Sequence, residues 1–338
     1  MLRLPAHEVL QPRTVAEAVA LLAEHGEKAM LIAGGTDLLP NMKHRLFEPD
    51  YLVALAGIEE LRGVRDAEGG LEIGAMTTLT EVAESPLVRE RAPALAQAAG
   101  LVSGPQLRNM GTLGGNVMLD TRCQWYNQTY FWRSALGYCL KKDGSKCHVV
   151  EGGQKCVAAA SNDTAPALMT LGAALQFAGP RGPQELAIDA IWRPDGIWNK
   201  KFGRDQILTA IRLPAAAAGH RGAYGKLRDR GSIDFPLLGM AARVDRDPAG
   251  AVADADLCVV ALQARPTRVR KAAELLRGAE PGSPGFDEAV EAVAQAAHQQ
   301  CRPLDSIPGD AEYRHLMVPV LARRTLRAAA EGATVGVL

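Results

Sequence analysis

The sequence has no excess of either charge: 38 lysine and arginine residues balance 38 aspartate and glutamate residues among its 338 positions. A nucleic-acid-binding protein normally carries a basic face or stripe, so we expect no nucleic-acid partner. No apolar run approaches the roughly 20 residues of a membrane span. The N-terminal stretch MLRLPAHEVLQPRT also lacks the apolar segment of a signal peptide. We therefore expect a cytoplasmic protein without a membrane partner.

Aromatic residues and cysteines are scarce, at 5% and six residues, but both are concentrated in one segment. The rest of the chain has only Cys258, in an apolar run typical of a core, and Cys301. Cytoplasmic thiols stay reduced, so clustered cysteines there are more often metal ligands than disulfides. The cysteines of the segment are Cys123, Cys139, Cys147 and Cys156.

The spacing of these four cysteines does not identify a metal. It is Cys-x15-Cys-x7-Cys-x8-Cys, without the Cys-x2-Cys pairs of structural zinc sites or the tighter repeats of ferredoxins. An iron–sulfur cluster, a zinc ion and unrelated buried thiols all remain open. Nearby aromatic and basic side chains favour a [4Fe–4S] cluster, because they exclude water and offset its negative charge. His148, beside Cys147, is expected near the ligands rather than among them.

The basic residues of this segment outnumber the acidic ones by five to two. We expect them to form a docking patch for an acidic electron carrier, with association that slows as salt rises. Two of the lysines lie in Lys-Lys-Asp-Gly, a turn-like sequence that predicts a solvated loop. The basic residues are Arg133, Lys141, Lys142, Lys146 and Lys155.

A glycine turn, Gly34-Gly35-Thr36, follows the apolar run at residues 30–33 and precedes a helix expected from Leu38. Glycines allow several backbone N–H groups to converge on an anion such as a phosphate. The spacing matches neither GxGxxG nor a Walker loop, so a plain strand-to-helix turn is the alternative. A second turn, at residues 112–116, predicts two cradles for the diphosphate of a dinucleotide.

Three acidic residues near these turns could accept hydrogen bonds from ribityl or ribose hydroxyls. The alternative for each of them is a helix cap. They are Asp37, Asp120 and Asp163.

The length predicts two or three domains. A capping box at Thr14 predicts a helix that Gly26 ends, followed by strands at residues 30–33 and 50–55. A hairpin is expected within 61–77, and helices from Thr80 and from Pro86 to about Leu101. The C-terminal part predicts strands at 223–230, 237–244 and 256–264, then helices at 268–277, 287–299 and 311–329. We divide the chain into domains at residues 1–57, 58–215 and 216–338, an α+β organisation overall.

These motifs together resemble the FAD-binding subunits of the xanthine dehydrogenase family of molybdenum hydroxylases. The matching segments are residues 33–37, residues 111–116, Asp163 with Pro166-Ala167-Leu168, and the Lys-x3-Arg-x3-Asp pattern that begins at Lys226. The resemblance implies a PCMH-type, two-subdomain FAD-binding fold followed by a C-terminal α+β domain with a small antiparallel sheet.

The resemblance also implies which residues contact FAD. The two glycine turns would hold the diphosphate, Asp120 and Asp163 would lie by the ribityl chain or the flavin, and Lys226 would approach the isoalloxazine. The full set is Leu31, Ile32, Ala33, Gly34, Gly35, Thr36, Asp37, Thr77, Thr112, Gly114, Gly115, Asn116, Asp120, Asp163 and Lys226. No residue of this chain is expected to be catalytic, since the substrate binds to another subunit.

An insert at residues 122–158 looks like that of the 4-hydroxybenzoyl-CoA reductase β subunits. That likeness implies a [4Fe–4S] cluster on Cys123, Cys139, Cys147 and Cys156. It also implies a large subunit with the molybdenum cofactor and a small subunit with [2Fe–2S] clusters, in a doubled heterotrimer. Reduced ferredoxin would be the electron donor, and the reaction would convert 4-hydroxybenzoyl-CoA to benzoyl-CoA.

Two alternatives remain at this point. The chain could be the flavoprotein subunit of another hydroxylase or dehydrogenase of the same family, because the substrate is bound elsewhere. It could instead be a non-enzymatic scaffold protein stapled by zinc.

Overall fold

A small parallel sheet forms the N-terminal part of the computed structural model, which describes residues 2–68 and 70–337. Its strand order is β1-β3-β2. Thr14 Oγ1 accepts a hydrogen bond from the Glu17 N–H (3.1 Å), which is one half of the predicted capping box. The Glu17 carboxylate accepts a hydrogen bond from the Arg13 N–H (2.7 Å) instead of the Thr14 N–H, so only this half forms. Gly26 ends the first helix with a φ of 53°. The elements are β1 (Glu8–Leu10), α1 (Val15–His25), β2 (Ala29–Ile32), α2 (Leu38–Lys43) and β3 (Tyr51–Ala54).

The second sheet is antiparallel and has five strands, in the order β4-β5-β8-β6-β7. The predicted hairpin is confirmed as β4 (Val64–Ala67) and β5 (Gly70–Gly74). The remaining strands are β6 (Ala174–Ala178), β7 (Gln184–Ala187) and β8 (Ile207–Leu213).

Seven short helices separate β5 from β6. The single helix predicted from Pro86 to Leu101 is wrong, because Ala92 leaves the helical region (φ −143°) and Pro93 begins a new helix. The helices are α3 (Leu79–Glu84), α4 (Pro86–Arg91), α5 (Pro93–Gly100), α6 (Pro105–Arg108), α7 (Leu113–Val117), α8 (Tyr130–Ala135) and α9 (Thr164–Thr170).

The third sheet has the order β12-β11-β10-β9-β13 and is antiparallel, except that β13 runs parallel to β9. The strand predicted at 256–264 lies earlier, since Ala261 has a φ of +76° that breaks the extended backbone. Its elements are β9 (His220–Leu227), β10 (Leu238–Arg246), β11 (Val252–Val260), β12 (Thr267–Arg268), α10 (Ala272–Leu276), α11 (Pro284–Gln300), α12 (Ala311–Glu331) and β13 (Gly336–Val337).

The third sheet packs on the second through a shared core. Tyr224, Ala241 and Cys258 of the third sheet are buried in the same cluster as α5 and α9. Cys258 is fully buried, as predicted. The domain limits at 57/58 and 215/216 stay a prediction, and each falls between two sheets. In the two described ranges, no helix is both long and apolar enough to cross a membrane.

Substitution of Leu326 tests the packing of the core that α12 shares with the third sheet. Its side chain is 0% exposed, whereas Leu316 on the same helix is 59% exposed. Leu326→Ala should lower the free energy of unfolding by about 2–5 kcal/mol, because it removes buried methyl groups and leaves a cavity. Urea unfolding followed by circular dichroism measures this loss. Leu316→Ala is the matched control, and an equal effect of the two substitutions would contradict the packing described.

Candidate functional site

A cavity of about 550 Å³, called the large cavity below, lies where the first sheet, the second domain and the loop at residues 233–235 meet. Its volume lies within the ordinary range for small-molecule and cofactor sites. Both glycine turns and all three acidic residues singled out from the sequence contribute to its wall. The predicted residues in the wall are Leu31, Ala33, Gly34, Gly35, Thr36, Asp37, Thr112, Gly114, Gly115, Asn116, Asp120 and Asp163.

Three predicted residues lie outside this wall. Ile32 belongs to β2 but does not line the cavity. The Thr77 hydroxyl donates to the Gly63 carbonyl (3.1 Å), and its residue is buried. Lys226 is also fully buried, behind Asp163.

The first glycine turn leaves its backbone donors free. The N–H groups of residues 34–37 have no hydrogen-bond partner within the described ranges, and all four residues line the cavity. Gly35 adopts a φ of +70°, which glycine tolerates without strain. Converging amides of this kind form a concave site for an anion such as a phosphate.

The second turn uses most of its N–H groups within the protein. Leu113 donates to the Thr77 carbonyl (2.9 Å), Gly114 to the Ala75 carbonyl (2.9 Å) and Gly115 to the Thr112 hydroxyl (3.1 Å). A β-carbon on Gly114 would come within 2.7 Å of the Ala75 β-carbon. The glycines of the second turn therefore allow close packing of the backbone. The prediction that both turns form a cradle for the diphosphate is corrected accordingly.

Asp37, which is partly exposed, forms an ion pair with the buried Arg122 in the wall of the large cavity, and it also accepts a hydrogen bond from the Asn41 amide (3.1 Å). Its side chain makes no helix-capping bond. Burial lowers the pKa of Arg122 to about 10, and the guanidinium stacks over the Phe235 ring at 4.9 Å. Sequence reasoning missed Arg122 and Phe235, because Arg122 lies 85 residues from Asp37 and no local pattern marks the pairing.

Asp163 anchors a buried network at the opposite wall. Its carboxylate accepts hydrogen bonds from the Tyr224 hydroxyl (2.7 Å) and from Lys226 Nζ (3.0 Å), and although Asp163 precedes α9 its side chain makes no capping bond. Burial raises the pKa of Asp163, and the Lys226 ammonium opposes that rise. Lys226 also donates to the carbonyls of Leu101 and Asp234, both at 3.0 Å, so all three of its donors are occupied. Lys226 therefore contacts the cavity wall from behind, through Asp163 and Asp234.

The four cysteines of the insert line one small cavity of about 20 Å³, called the cysteine cavity below. Burial raises the pKa of Cys123 to about 12 and that of Cys156 to about 11. Repulsion from Cys156 and Cys139 adds to the shift of Cys123, and repulsion from Cys139 and Cys147 adds to that of Cys156. Backbone N–H groups donate to Cys147 Sγ (3.4 Å, from Val150) and to Cys156 Sγ (3.5 Å, from Ala158).

Such N–H···S bonds are typical of thiolates that hold a metal centre, so the donor set fits a thiolate-ligated cluster. Across residues 2–68 and 70–337, however, no three cysteine, histidine or acidic side chains meet closely enough to hold a single metal ion. His148 lines the cavity, but its Nε2 is engaged by the Tyr138 carbonyl (2.6 Å). The Trp125 ring lies 5.3 Å from the His148 ring and completes the wall.

Two of the five basic residues expected in the docking patch have buried side chains, which corrects the prediction of a solvated basic loop. The Lys141 side chain is only 3% exposed and pairs with Asp120 at 2.9 Å. Arg133 donates to the carbonyls of His44 (3.0 Å) and Arg45 (3.1 Å). Lys142 forms a half-exposed pair with Asp143, and Lys146 and Lys155 are exposed.

Two family models cover most of the chain. Residues 5–216 match the FAD binding domain in molybdopterin dehydrogenase, and residues 222–329 match the CO dehydrogenase flavoprotein C-terminal domain. The chain is 32% identical to the carbon monoxide dehydrogenase medium chain of Hydrogenophaga pseudoflava, over 96% of this chain and 97% of that one. It is 26% identical to the nicotinate dehydrogenase FAD-subunit of Eubacterium barkeri, over 86% of this chain and 85% of the relative.

The fold has a close counterpart among solved structures. A chain of carbon monoxide dehydrogenase from Hydrogenophaga pseudoflava superposes with a TM-score of 0.79 at 30% identity, over 98% of this chain and 99% of that one. The PCMH-type FAD-binding domain followed by a C-terminal domain is thus confirmed. The alternative of a non-enzymatic zinc scaffold is wrong, because both domains match those of flavoprotein oxidoreductases. The chain belongs to the FAD-binding medium subunits of the molybdenum hydroxylase, or xanthine dehydrogenase, family.

Proposed function

We propose that this chain carries FAD and a [4Fe–4S] cluster and transfers electrons within a molybdenum enzyme of the 4-hydroxybenzoyl-CoA reductase type. The observation that supports this most is the cysteine cavity. Four cysteines separated by long loops line one cavity, and the same insert contributes Lys141 to an ion pair with Asp120 of the large cavity. We expect the thiols to stay reduced in the cytoplasm.

FAD would occupy the large cavity. The free N–H groups of residues 34–37 would hold its diphosphate, and Asp120, Asp163, Thr112 and Asn116 would lie along the rest of the cofactor. Bound FAD supplies two-electron chemistry that can also proceed in single-electron steps. The Lys226 ammonium would act on it through the Asp163 carboxylate.

The partners follow from the same proposal. A large subunit would bind the molybdenum cofactor and the substrate, a small subunit would carry [2Fe–2S] clusters, and the heterotrimer would be doubled. One 4-hydroxybenzoyl-CoA would take up two electrons and two protons and yield benzoyl-CoA and water. Ferredoxin, a one-electron carrier, would supply the electrons.

A second candidate is a hydroxylase or dehydrogenase of the same family with another substrate. Similarity to carbon monoxide and nicotinate dehydrogenases favours it. Anaerobic mixing of the reduced complex with 4-hydroxybenzoyl-CoA distinguishes the two. Rapid reoxidation with release of benzoyl-CoA supports the reductase, and a complex that stays reduced supports the second candidate.

Gly34 should be required for flavin binding. A β-carbon there would overlap the Met110 carbonyl and displace the turn that carries the free N–H groups. Gly34→Ala should therefore yield protein with little bound flavin, measured by absorbance after purification. Gly285→Ala is the matched control, because its new methyl group would be 3.8 Å from the Ser283 hydroxyl, an ordinary contact. Full flavin occupancy in Gly34→Ala would refute the assigned role of this turn.

The insert cysteines should be required for bound iron. Cys123→Ser removes a buried thiol of the cysteine cavity, so purified protein should lose its iron and acid-labile sulfide while it keeps flavin. Cys301→Ser, at a buried cysteine outside the insert, should keep both. Metal and sulfide analysis of anaerobically purified protein decides this, and a wild-type protein that contains zinc and no sulfide would contradict the cluster.

Ferredoxin docking should use the outer face of the insert. Phe131 is 82% exposed on α8, and the neighbouring Trp132 ring lies 5.9 Å from Trp125 at the cysteine cavity. Lys146 and Lys155 give the exposed part of the insert its positive charge.

Lys146→Glu/Lys155→Glu should slow reduction by ferredoxin and flatten its salt dependence, because surface charge steers association. Stopped-flow reduction at several salt concentrations measures both effects. Lys28→Glu/Lys271→Glu makes the same charge change at exposed sites outside the insert and should leave the rate unchanged. Equal rates for the two double variants would rule out this docking face.

A further inference from the structure

The segment from Asp120 to Cys123 runs directly between the two cavities. Asp120 lines the large cavity, and Cys123 lines the cysteine cavity. Lys141 approaches from the opposite side: its side chain lines the cysteine cavity, and its ammonium is 2.9 Å from Asp120 Oδ1. One buried ion pair therefore spans the wall between the cavities.

The position of the Lys141 ammonium is fixed by hydrogen bonds. Besides Asp120 it donates to the Thr121 hydroxyl (2.8 Å) and to the Gly196 carbonyl, and it lies 4.9 Å from the centre of the Tyr126 ring. A lysine has three N–H donors, so these acceptors occupy all of them. The consecutive residues Cys139, Leu140 and Lys141 all line the cysteine cavity.

The Asp120 carboxylate is held equally well. The Thr121 N–H donates to Oδ1 (2.9 Å), and the Tyr126 hydroxyl approaches Oδ2 (3.4 Å). The pair thus has a defined direction, with its positive end at the cysteine cavity and its negative end at the large cavity.

Other charges surround the pair but do not cancel its direction. Arg204 lines the large cavity, Arg122 pairs with Asp37, and the buried Lys200 ammonium donates to the Leu119 carbonyl (2.7 Å). The two guanidinium groups form a constant background that substitution of Lys141 or Asp120 leaves in place. Burial lowers the pKa of Lys200 to about 7, while Asp120 raises it, so the potentials are compared at a pH well above 7, where this lysine is neutral in every variant.

We propose that the Lys141–Asp120 pair sets the difference between the reduction potentials of the groups in the two cavities. Reduction adds negative charge, which a nearby cation stabilises and a nearby anion destabilises. The effect falls with distance and is strong where water is excluded. An electron is consequently held more firmly in the cysteine cavity, relative to the flavin, than it would be without the pair. This inference rests on the proposed function, since it needs a redox group in each cavity.

The test compares Lys141→Met and Asp120→Asn in the full chain, purified anaerobically with its cofactors. Spectroelectrochemical titration gives the midpoint potentials of the flavin and of the iron–sulfur group. Lys141→Met should lower both, and more strongly in the cysteine cavity. Asp120→Asn should raise both, and more strongly at the flavin. In both variants the potential in the cysteine cavity should fall relative to that of the flavin.

Two control variants separate the effect of the Lys141 charge from other effects of substitution. Lys141→Arg keeps a cation and should leave both potentials near their wild-type values. Lys142→Met removes the adjacent lysine, whose partner Asp143 lies on the insert's exposed side, and should shift neither potential. If neither variant shifts a potential, if Lys141→Met and Asp120→Asn shift the same potential in the same direction, or if the potential in the cysteine cavity does not fall relative to that of the flavin, the inference is overturned while the proposed function stands.

The proposed function can fail separately. A wild-type chain with FAD but without iron and sulfide would refute the cluster. In that case only the flavin potential tests the effect of the Lys141–Asp120 pair. It must rise in Asp120→Asn and fall by a smaller amount in Lys141→Met. Absence of that pattern would overturn the inference as well.

Discussion

The site depends on one close approach, in which the backbone of Gly34 rests against the Met110 carbonyl. Only a residue without a side chain can lie there, because a β-carbon would overlap the carbonyl oxygen. This contact brings the end of β2 against the start of the second glycine turn. The free N–H groups of residues 34–37 then face the same cavity as Thr112 and Asn116, so the cavity exists only because the two turns touch.

Local patterns predicted what local interactions determine. The helix that follows Thr14, the hairpin at β4 and β5 and the strand that leads into Gly34 all arise from neighbouring residues, and the structure contains them. The two glycine turns looked alike in the sequence, yet only the first keeps its N–H groups free. The difference depends on the carbonyls of Ala75 and Thr77, which lie just after β5 and accept the N–H groups of the second turn. A single sequence gives no sign of such a contact.

Charged residues were the least predictable part of the site. Lys141 and Lys142 are adjacent in a turn-like sequence, which suggested that both are solvated. The turn sends Lys142 toward Asp143 at the surface and Lys141 inward to Asp120. Arg122 and Arg133 are buried as well, and their side chains donate hydrogen bonds to acceptors 81 or more residues away. Burial of a cation requires an acceptor set that only tertiary structure assembles, so sequence composition alone assigned these residues to the wrong environment.

The insert is held mainly from outside. Its regular structure within the described ranges is the short helix α8, and its small core includes Cys123, Cys139 and Cys156 among only a few apolar side chains. Such a core buries little apolar surface, so the insert depends for its attachment on Arg122, Arg133 and Lys141. Each of these side chains bonds to a segment outside the insert. A cluster on the four thiols would cross-link the loops in the way that a structural metal site stabilises a small domain. The buried cations would keep the cysteine cavity beside the large cavity before the metal is bound. The buried cations thus fix the position of the insert, and the cluster would make its loops rigid. Loss of the metal should therefore loosen the loops of the insert while the large cavity keeps its shape.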